Sequence, residues 1–220
     1  MKNKKFLTAT NIIILICIVV YFVDWFILGG SIEGEFSIVF AGIDVGKNKL
    51  FQQILGFNYG KLYEFMALTT VNGKILNFWQ PFTYIFMHQF LLHLIFNLIA
   101  LSIVGNKIEK EENWSLTLFI FIIVGVVGVL ICDAIVPADS SAAGTSIALF
   151  GLIGAALGMC FTNKGFIKTF SKKSIIYLVI YGLLFTYTSG TWTMVAHNTG
   201  LILGLLIYLV YYFLFKPKHA

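Results

Sequence analysis

Between Ser174 and Phe215 the chain runs for 42 residues without a formal charge. Crossing the roughly 30 Å hydrocarbon core of a bilayer takes about 20 mostly apolar residues in a helix. A stretch of that length, broken only by the turn-like Thr188-Ser189-Gly190-Thr191, predicts two passes. Ser140 to Asn163 predicts one more, and Trp114 to Val136, with only Asp133 near its end, another. The 32 uncharged residues from Ile75 to Asn106 exceed one upright helix, so their first part is expected at the interface and the span from His88 to Val104. An N-terminal pass over Asn11 to Leu28 is interrupted only by Asp24. The expected fold class is an all-α polytopic membrane protein, a single domain over residues 1–220. Its six transmembrane helices are expected near 11–28, 88–104, 114–136, 145–162, 174–188 and 193–215. Composition agrees: charged residues make up 11% of the chain, less than half of the roughly 25% that soluble domains carry.

The basic balance is a topology signal. All 15 basic residues are lysines. With the N-terminus inside, eleven of them (Lys2, Lys4, Lys5, Lys107, Lys110, Lys164, Lys168, Lys172, Lys173, Lys216 and Lys218) fall on the cytoplasmic side. The other four, Lys47, Lys49, Lys61 and Lys74, fall in one long loop, where the positive-inside bias is weak. The short external connections, Pro137 to Ala143 and Ser189 to Thr191, have none. The lysines form no patch of the kind nucleic acid requires, so no nucleic-acid partner is expected. Lys2, Lys4 and Lys5 precede an apolar core as in a signal peptide, but the core is long and lacks a small-x-small cleavage pattern, so it reads as an uncleaved span. Cys17, Cys132 and Cys160 lie in apolar runs without CxxC spacing and are expected as buried free thiols, not bridges or a zinc site. The external loop, Gly29 to Met87, mixes polar residues with Phe51, Phe57, Tyr59, Tyr63, Phe65, Trp79, Phe82 and Tyr84, which predicts short helices lying on the outer leaflet.

Polar side chains inside spans are costly and mark candidate functional sites. Here they are Asp24, His93, Asn97, Asp133, Ser146 and His197. At 1.5 Å per residue, Ser146, His197, His93 and Asn97 share a layer within roughly 6–14 Å of the external surface. His93 and Asn97 are i,i+4 and project from one helix face. Ala196, Gly200 and Gly204 form a small-residue ladder on the helix of His197, and Gly151, Gly154, Ala155 and Gly158 form another on the helix of Ser146, so these two helices are equipped to touch. A serine within reach of a histidine is the minimum for an activated nucleophile, and His93 and Asn97 could donate to an oxyanion. Plainer readings stand beside this one. Ser146 could be a helix cap, His197 a hydrogen bond between helices, His93 with Asn97 interhelical glue, and the glycines packing alone. His88 is expected at the interface, holding the loop, and Asp24 and Asp133 are expected to reach water or a cap. No HExxH is present, no facing aspartate pair is recognisable, and Gly144-Thr145-Ser146-Ile147-Ala148 lacks the second glycine of a hydrolase elbow.

Three segments together resemble the rhomboid family of intramembrane serine proteases. His88-Gln89-Phe90-Leu91-Leu92-His93-Leu94-Ile95-Phe96-Asn97 is similar to the family's second-span motif. Gly144-Thr145-Ser146, continuing to Gly151, is similar to the nucleophile segment opening the fourth span, and Ala196-His197-Asn198-Thr199-Gly200 to the AHxxG segment of the sixth. The resemblance covers about Trp79 to Gly204 and implies a rhomboid-like bundle in its minimal six-span bacterial form. It implies Ser146 as nucleophile and His197 as general base, without a third carboxylate. It also implies His93 and Asn97 as oxyanion hole with the Ser146 backbone N–H, Phe150 as the aromatic packed on His197, and Gly144 and Gly200 in support. The implied activity is endoproteolysis of single-pass membrane-protein substrates near the outer leaflet, in the lipid bilayer of a bacterial inner membrane, with no cofactor. A rhomboid-like protein that binds client helices with little or no catalysis is the alternative. Two positions depart from the family pattern. Ile147 stands where a glycine usually follows the nucleophile, which predicts a narrowed cleft or a disturbed oxyanion hole. Gln80 follows Trp79 where an arginine is common, which removes a charge toward lipid headgroups.

Overall fold

Inside hydrocarbon a backbone has no water to bond, so apolar runs of this length fold as helices that pair their own N–H and C=O groups. The computed structural model describes residues 8–28, 39–40, 43–44, 60–137, 140–163, 165–187 and 190–216. Lys2, Lys4, Lys5, Lys47, Lys49, Phe51, Phe57, Tyr59, Lys164, Lys218 and the turn residues Thr188 and Ser189 lie outside them.

The long helices are α1 (Ala9–Phe26), α4 (Leu91–Glu111), α5 (Trp114–Ile135), α6 (Ser146–Thr162), α7 (Lys172–Tyr187) and α8 (Thr191–Phe215). Among the described residues, α1, α4, α5 and α8 are each long and apolar enough to cross a membrane. At 17 residues, α6 is a shorter apolar helix, and α7 has 16 residues. Between α1 and α4 come short elements: β1 (Val39–Phe40), β2 (Ile43–Asp44), α2 (Lys61–Met66), β3 (Leu68–Val71), β4 (Lys74–Ile75) and α3 (Gln80–Thr83); β5 (Ser140–Ala142) precedes α6. The chain is thus mostly helical, but not all-α.

Two compact units divide the chain: Met1–Ile12 with Ile99–Pro137 and Ser146–Ala220, and Ile13–Leu98 with Ala138–Thr145. In the first, α6 packs against α5 and α8, and α7 packs on α8. Helix α4 runs to Glu111, beyond the expected end at Val104, because its charged last turns find partners. Glu109 accepts the backbone N–H groups of Ala9 and Thr10 and the Thr10 hydroxyl at 2.9–3.1 Å, serving the unpaired donors at the start of α1. Asn113 caps α5 by accepting the Leu116 N–H at 2.8 Å. Glu112 accepts the Tyr208 hydroxyl at 3.0 Å and pairs with Lys216 at 2.6 Å.

The second unit corrects the expectation of surface helices alone. Strand β3 is the centre of a three-stranded antiparallel sheet, order β4-β3-β5, with Val71 opposite Lys74 and Leu68 opposite Ala142. Asn72 and Gly73 make the two-residue turn, both at positive φ (52° and 68°), the backbone twist a tight hairpin needs. Tyr63 and Tyr84, expected in the headgroup layer, are buried at 2% exposure, while Phe65 and Phe82 are exposed. Gln89 and Ser141 both donate to the Tyr63 hydroxyl oxygen, at 2.9 and 3.1 Å. Asp24 is fully buried and meets the second of its two expected outcomes, a cap: its carboxylate accepts the Leu62 N–H of α2 at 3.1 Å. Gly60 leaves room for this, since a Cβ there would lie 2.5 Å from Asp24 Oδ1. Gln80 is buried and ties the loop together, accepting the Thr69 N–H at 3.2 Å. Beside it the Trp79 indole donates to the Phe65 carbonyl at 2.9 Å.

Candidate active site

Helices α6 and α8 meet through glycine. A Cβ on Gly154 would fall on the Leu201 carbonyl, one on Gly204 on the Gly151 carbonyl, and one on Gly200 would sit 2.5 Å from the Ile147 carbonyl oxygen. Backbone therefore lies against backbone, which only small residues permit. This crossing carries the first residues of α6 and the first turns of α8, where Ser146 and His197 stand.

Ser146 is the first residue of α6, so Thr145 holds the position before the helix. The Ser146 N–H belongs to the first turn, whose donors lack intrahelical acceptors and whose dipole favours negative charge. One turn on, the Phe150 ring stacks on the His197 imidazole, centroids 4.2 Å apart and planes 12° from parallel. His197 is 2% exposed. Thr186 Oγ1 of α7 lies 3.2 Å from His197 Nδ1. A ring contact on one face and a hydrogen bond at one nitrogen together fix the ring's tilt and rotation. Thr186 was not singled out by the sequence; as one hydroxyl in a charge-free span it gave no spacing signal.

Ile147 does not project as the sequence suggests. Its side chain is 2% exposed and seated at Gly128 of α5, where a Cβ would come within 2.7 Å of Ile147 Cγ2. The branched residue fills a notch left by a glycine on the neighbouring helix.

The second unit holds the other expected site residues. Asn97 is fully buried and its side-chain amide donates to the His93 carbonyl at 2.8 Å, one turn earlier on α4. The His93 ring lies against Gly144, where a Cβ would be 2.7 Å from Cε1 and 3.0 Å from Nε2. Gly144 has φ +138°, so it is glycine for both space and backbone conformation. Its N–H donates to the Tyr84 carbonyl at 3.0 Å, fixing the segment two residues ahead of Ser146. His88, expected at the interface, is instead buried before α4, edge-on to the His93 ring at 5.2 Å, with Nε2 3.5 Å from Thr145 Oγ1. Burial pushes the His88 imidazole well below the ordinary histidine range, and the neighbouring His93 adds to that. A neutral His88 can bond Thr145 without burying a charge.

The sulfur chemistry is plain: Cys17 and Cys132 are buried free thiols, and Cys160 is free and half-buried. The Cys132 thiol reaches the Trp192 carbonyl at 3.4 Å.

Residues 76–213 match the rhomboid domain family. The chain is 27% identical over 154 residues to the candidate rhomboid protease YdcA of Bacillus subtilis (strain 168), covering 70% of this chain and 71% of that protein. It is 33% identical over 127 residues to the rhomboid protease GluP of the same organism, covering 57% of this chain and 24% of GluP. With the rhomboid-like protease 2 of Toxoplasma gondii it shares 28% identity over 134 residues, 60% of this chain and 47% of that one.

Proposed function

This chain belongs to the rhomboid family, and we propose that it is an intramembrane serine endopeptidase that cuts single-pass membrane proteins in their transmembrane helices near the outer leaflet. It is a multi-pass membrane protein. The observation that carries the reading is the Phe150 ring stacked on His197 one helical turn from Ser146, on two helices joined backbone to backbone. That arrangement supports a serine and an imidazole brought together without a carboxylate. An unpaired carboxylate buried at this level would itself be costly.

In the proposed reaction Ser146 Oγ attacks the scissile carbonyl and His197 Nε2 takes its proton. The tautomer that can do so carries its hydrogen on Nδ1, where Thr186 Oγ1 is 3.2 Å away to accept it. The oxyanion is met by the Ser146 N–H at the helix start, a donor of a kind worth about 3 kcal/mol in the transition state, and the family resemblance adds His93 and Asn97 as side-chain donors. His197 then protonates the leaving amine, and water hydrolyses the acyl-serine. Ser–His acyl transfer of this kind calls on no cofactor. The full reading has six passes, with α6 and α7 spanning as shorter helices. It places the N-terminus in the cytoplasm and the protein in a bacterial inner membrane.

A fluorophosphonate probe tests the nucleophile. Wild-type protein in detergent should label at one serine, and Ser146→Ala should abolish labelling while expression and membrane insertion persist. Undiminished labelling of Ser146→Ala would assign the nucleophile elsewhere.

A further inference from the structure

A cavity of about 360 Å³ opens between α6 and α7 in the first unit. Its walls are mostly apolar, among them Phe150, Leu157, Leu178 and Leu183, with polar side chains from Thr186, Tyr187 and Asn198. From Phe150 at one end to Cys160 at the other, the α6 wall runs ten residues, about 15 Å at the helical rise. That is half of the roughly 30 Å hydrocarbon core, the depth of one leaflet. A wall one leaflet deep and almost wholly apolar matches the length and chemistry of a single acyl chain.

Three exposed lysines lie next to the cavity's lining residues in the chain. Ile167 and Phe170 line the cavity, and exposed Lys168 lies between them in the chain. Lys172 and Lys173, also exposed, open α7 directly after. The Lys107 ammonium sits 5.9 Å over the Phe170 ring and donates to the Thr169 carbonyl, holding this segment in place. Glu109 of α4 is engaged with Thr10, and Glu112 just after the helix with Lys216, while Glu111 is exposed.

We infer that this cavity is a binding site for one anionic phospholipid, its acyl chain lying along α6 and its phosphate headgroup on Lys168, Lys172 and Lys173. The chain's far end reaches Phe150 and Gly182, so the bound lipid bears on α7, the helix that carries Thr186.

Native mass spectrometry of the purified protein with phosphatidylglycerol or phosphatidylcholine of identical chains tests this. A cationic residue at a membrane surface contributes about fivefold in affinity for an anionic lipid. Wild-type protein should therefore retain one phosphatidylglycerol with a preference on the order of a hundredfold from three lysines. The triple variant K168Q/K172Q/K173Q should retain the two lipids equally. A156F and L157F, which fill the cavity from α6, should lose the single retained lipid while keeping wild-type helical content. L157F changes a half-exposed residue and so stands in if A156F fails to fold. Equal retention of both lipids by the wild type, or undiminished phosphatidylglycerol on the cavity-filling variants, would overturn the site. Displacement of the lipid from wild type by a single-span peptide would give the cavity to a helix and overturn it equally.

Discussion

The proposed catalytic histidine, His197, is oriented by Phe150 and Thr186. The stacked ring fixes the imidazole plane, and the threonine hydroxyl fixes which nitrogen faces it. Thr186→Val keeps the shape and removes the hydroxyl. A neutral hydrogen bond is worth about 1 kcal/mol net, so the variant should lose roughly five- to tenfold in kcat/KM with the melting temperature nearly unchanged. Ser should restore the rate at that position. An unaltered kcat/KM for Thr186→Val would remove Thr186 from the proposed machinery. Ser146, His197, His93 and Asn97 stood out in the sequence as candidates because polar groups in apolar spans are costly and their spacings are helical. Thr186 was not, because a threonine hydroxyl can satisfy itself on its own helix and so signals nothing by its presence. The direction of Ile147 was illegible for a different reason: its accommodation depends on Gly128, nineteen residues earlier and on another helix.

At the scale of elements, glycine sets the distance between α6 and α8. The ladders of small residues were readable as a close approach, and Gly154, Gly200 and Gly204 do face backbone across the crossing, while Gly151 makes room for the Val124 side chain of α5. Gly154→Leu should push the helices apart, because the obstructing atoms are the Leu201 carbonyl and Leu205 nitrogen, which cannot swing aside. Overpacking of this kind costs about 3 kcal/mol. The expected result is a melting temperature in detergent lowered by several degrees, with fluorophosphonate labelling of Ser146 lost in step. Wild-type stability for this variant would mean that the crossing is not packed as described. The hairpin at Asn72-Gly73 was also written in the sequence, since Asn-Gly is the strongest short hairpin signal. It was obscured by the loop's aromatic residues, which suit a membrane surface as well as they suit a small core around Tyr63 and Tyr84. Helix ends were misjudged at Glu111 because hydropathy reports where lipid ends, whereas a helix continues as long as its last charges find partners such as Thr10 and Lys216.

At the scale of the molecule, the expected site residues divide between two compact units. Ser146, Phe150, His197 and Gly200 belong to one; His93, Asn97 and Gly144 belong to the other. Gly144 is held by the Tyr84 carbonyl, and Ser146, two residues on, opens α6. The membrane-embedded character was legible from charge-free lengths alone. The number of passes was less so: α6 and α7 are 17 and 16 residues long, about 25 Å at the helical rise, where length ceases to separate a span from a buried helix. The central claim is that Ser146 and His197 cut a peptide bond inside a membrane. Its most direct test reconstitutes wild type, Ser146→Ala and His197→Ala in liposomes with a fluorogenic single-span substrate. Wild type should release the fluorescent fragment, and each variant should be slower by at least about a hundredfold, the contribution of a positioned general base. Cleavage by Ser146→Ala or His197→Ala at the wild-type rate would contradict the account.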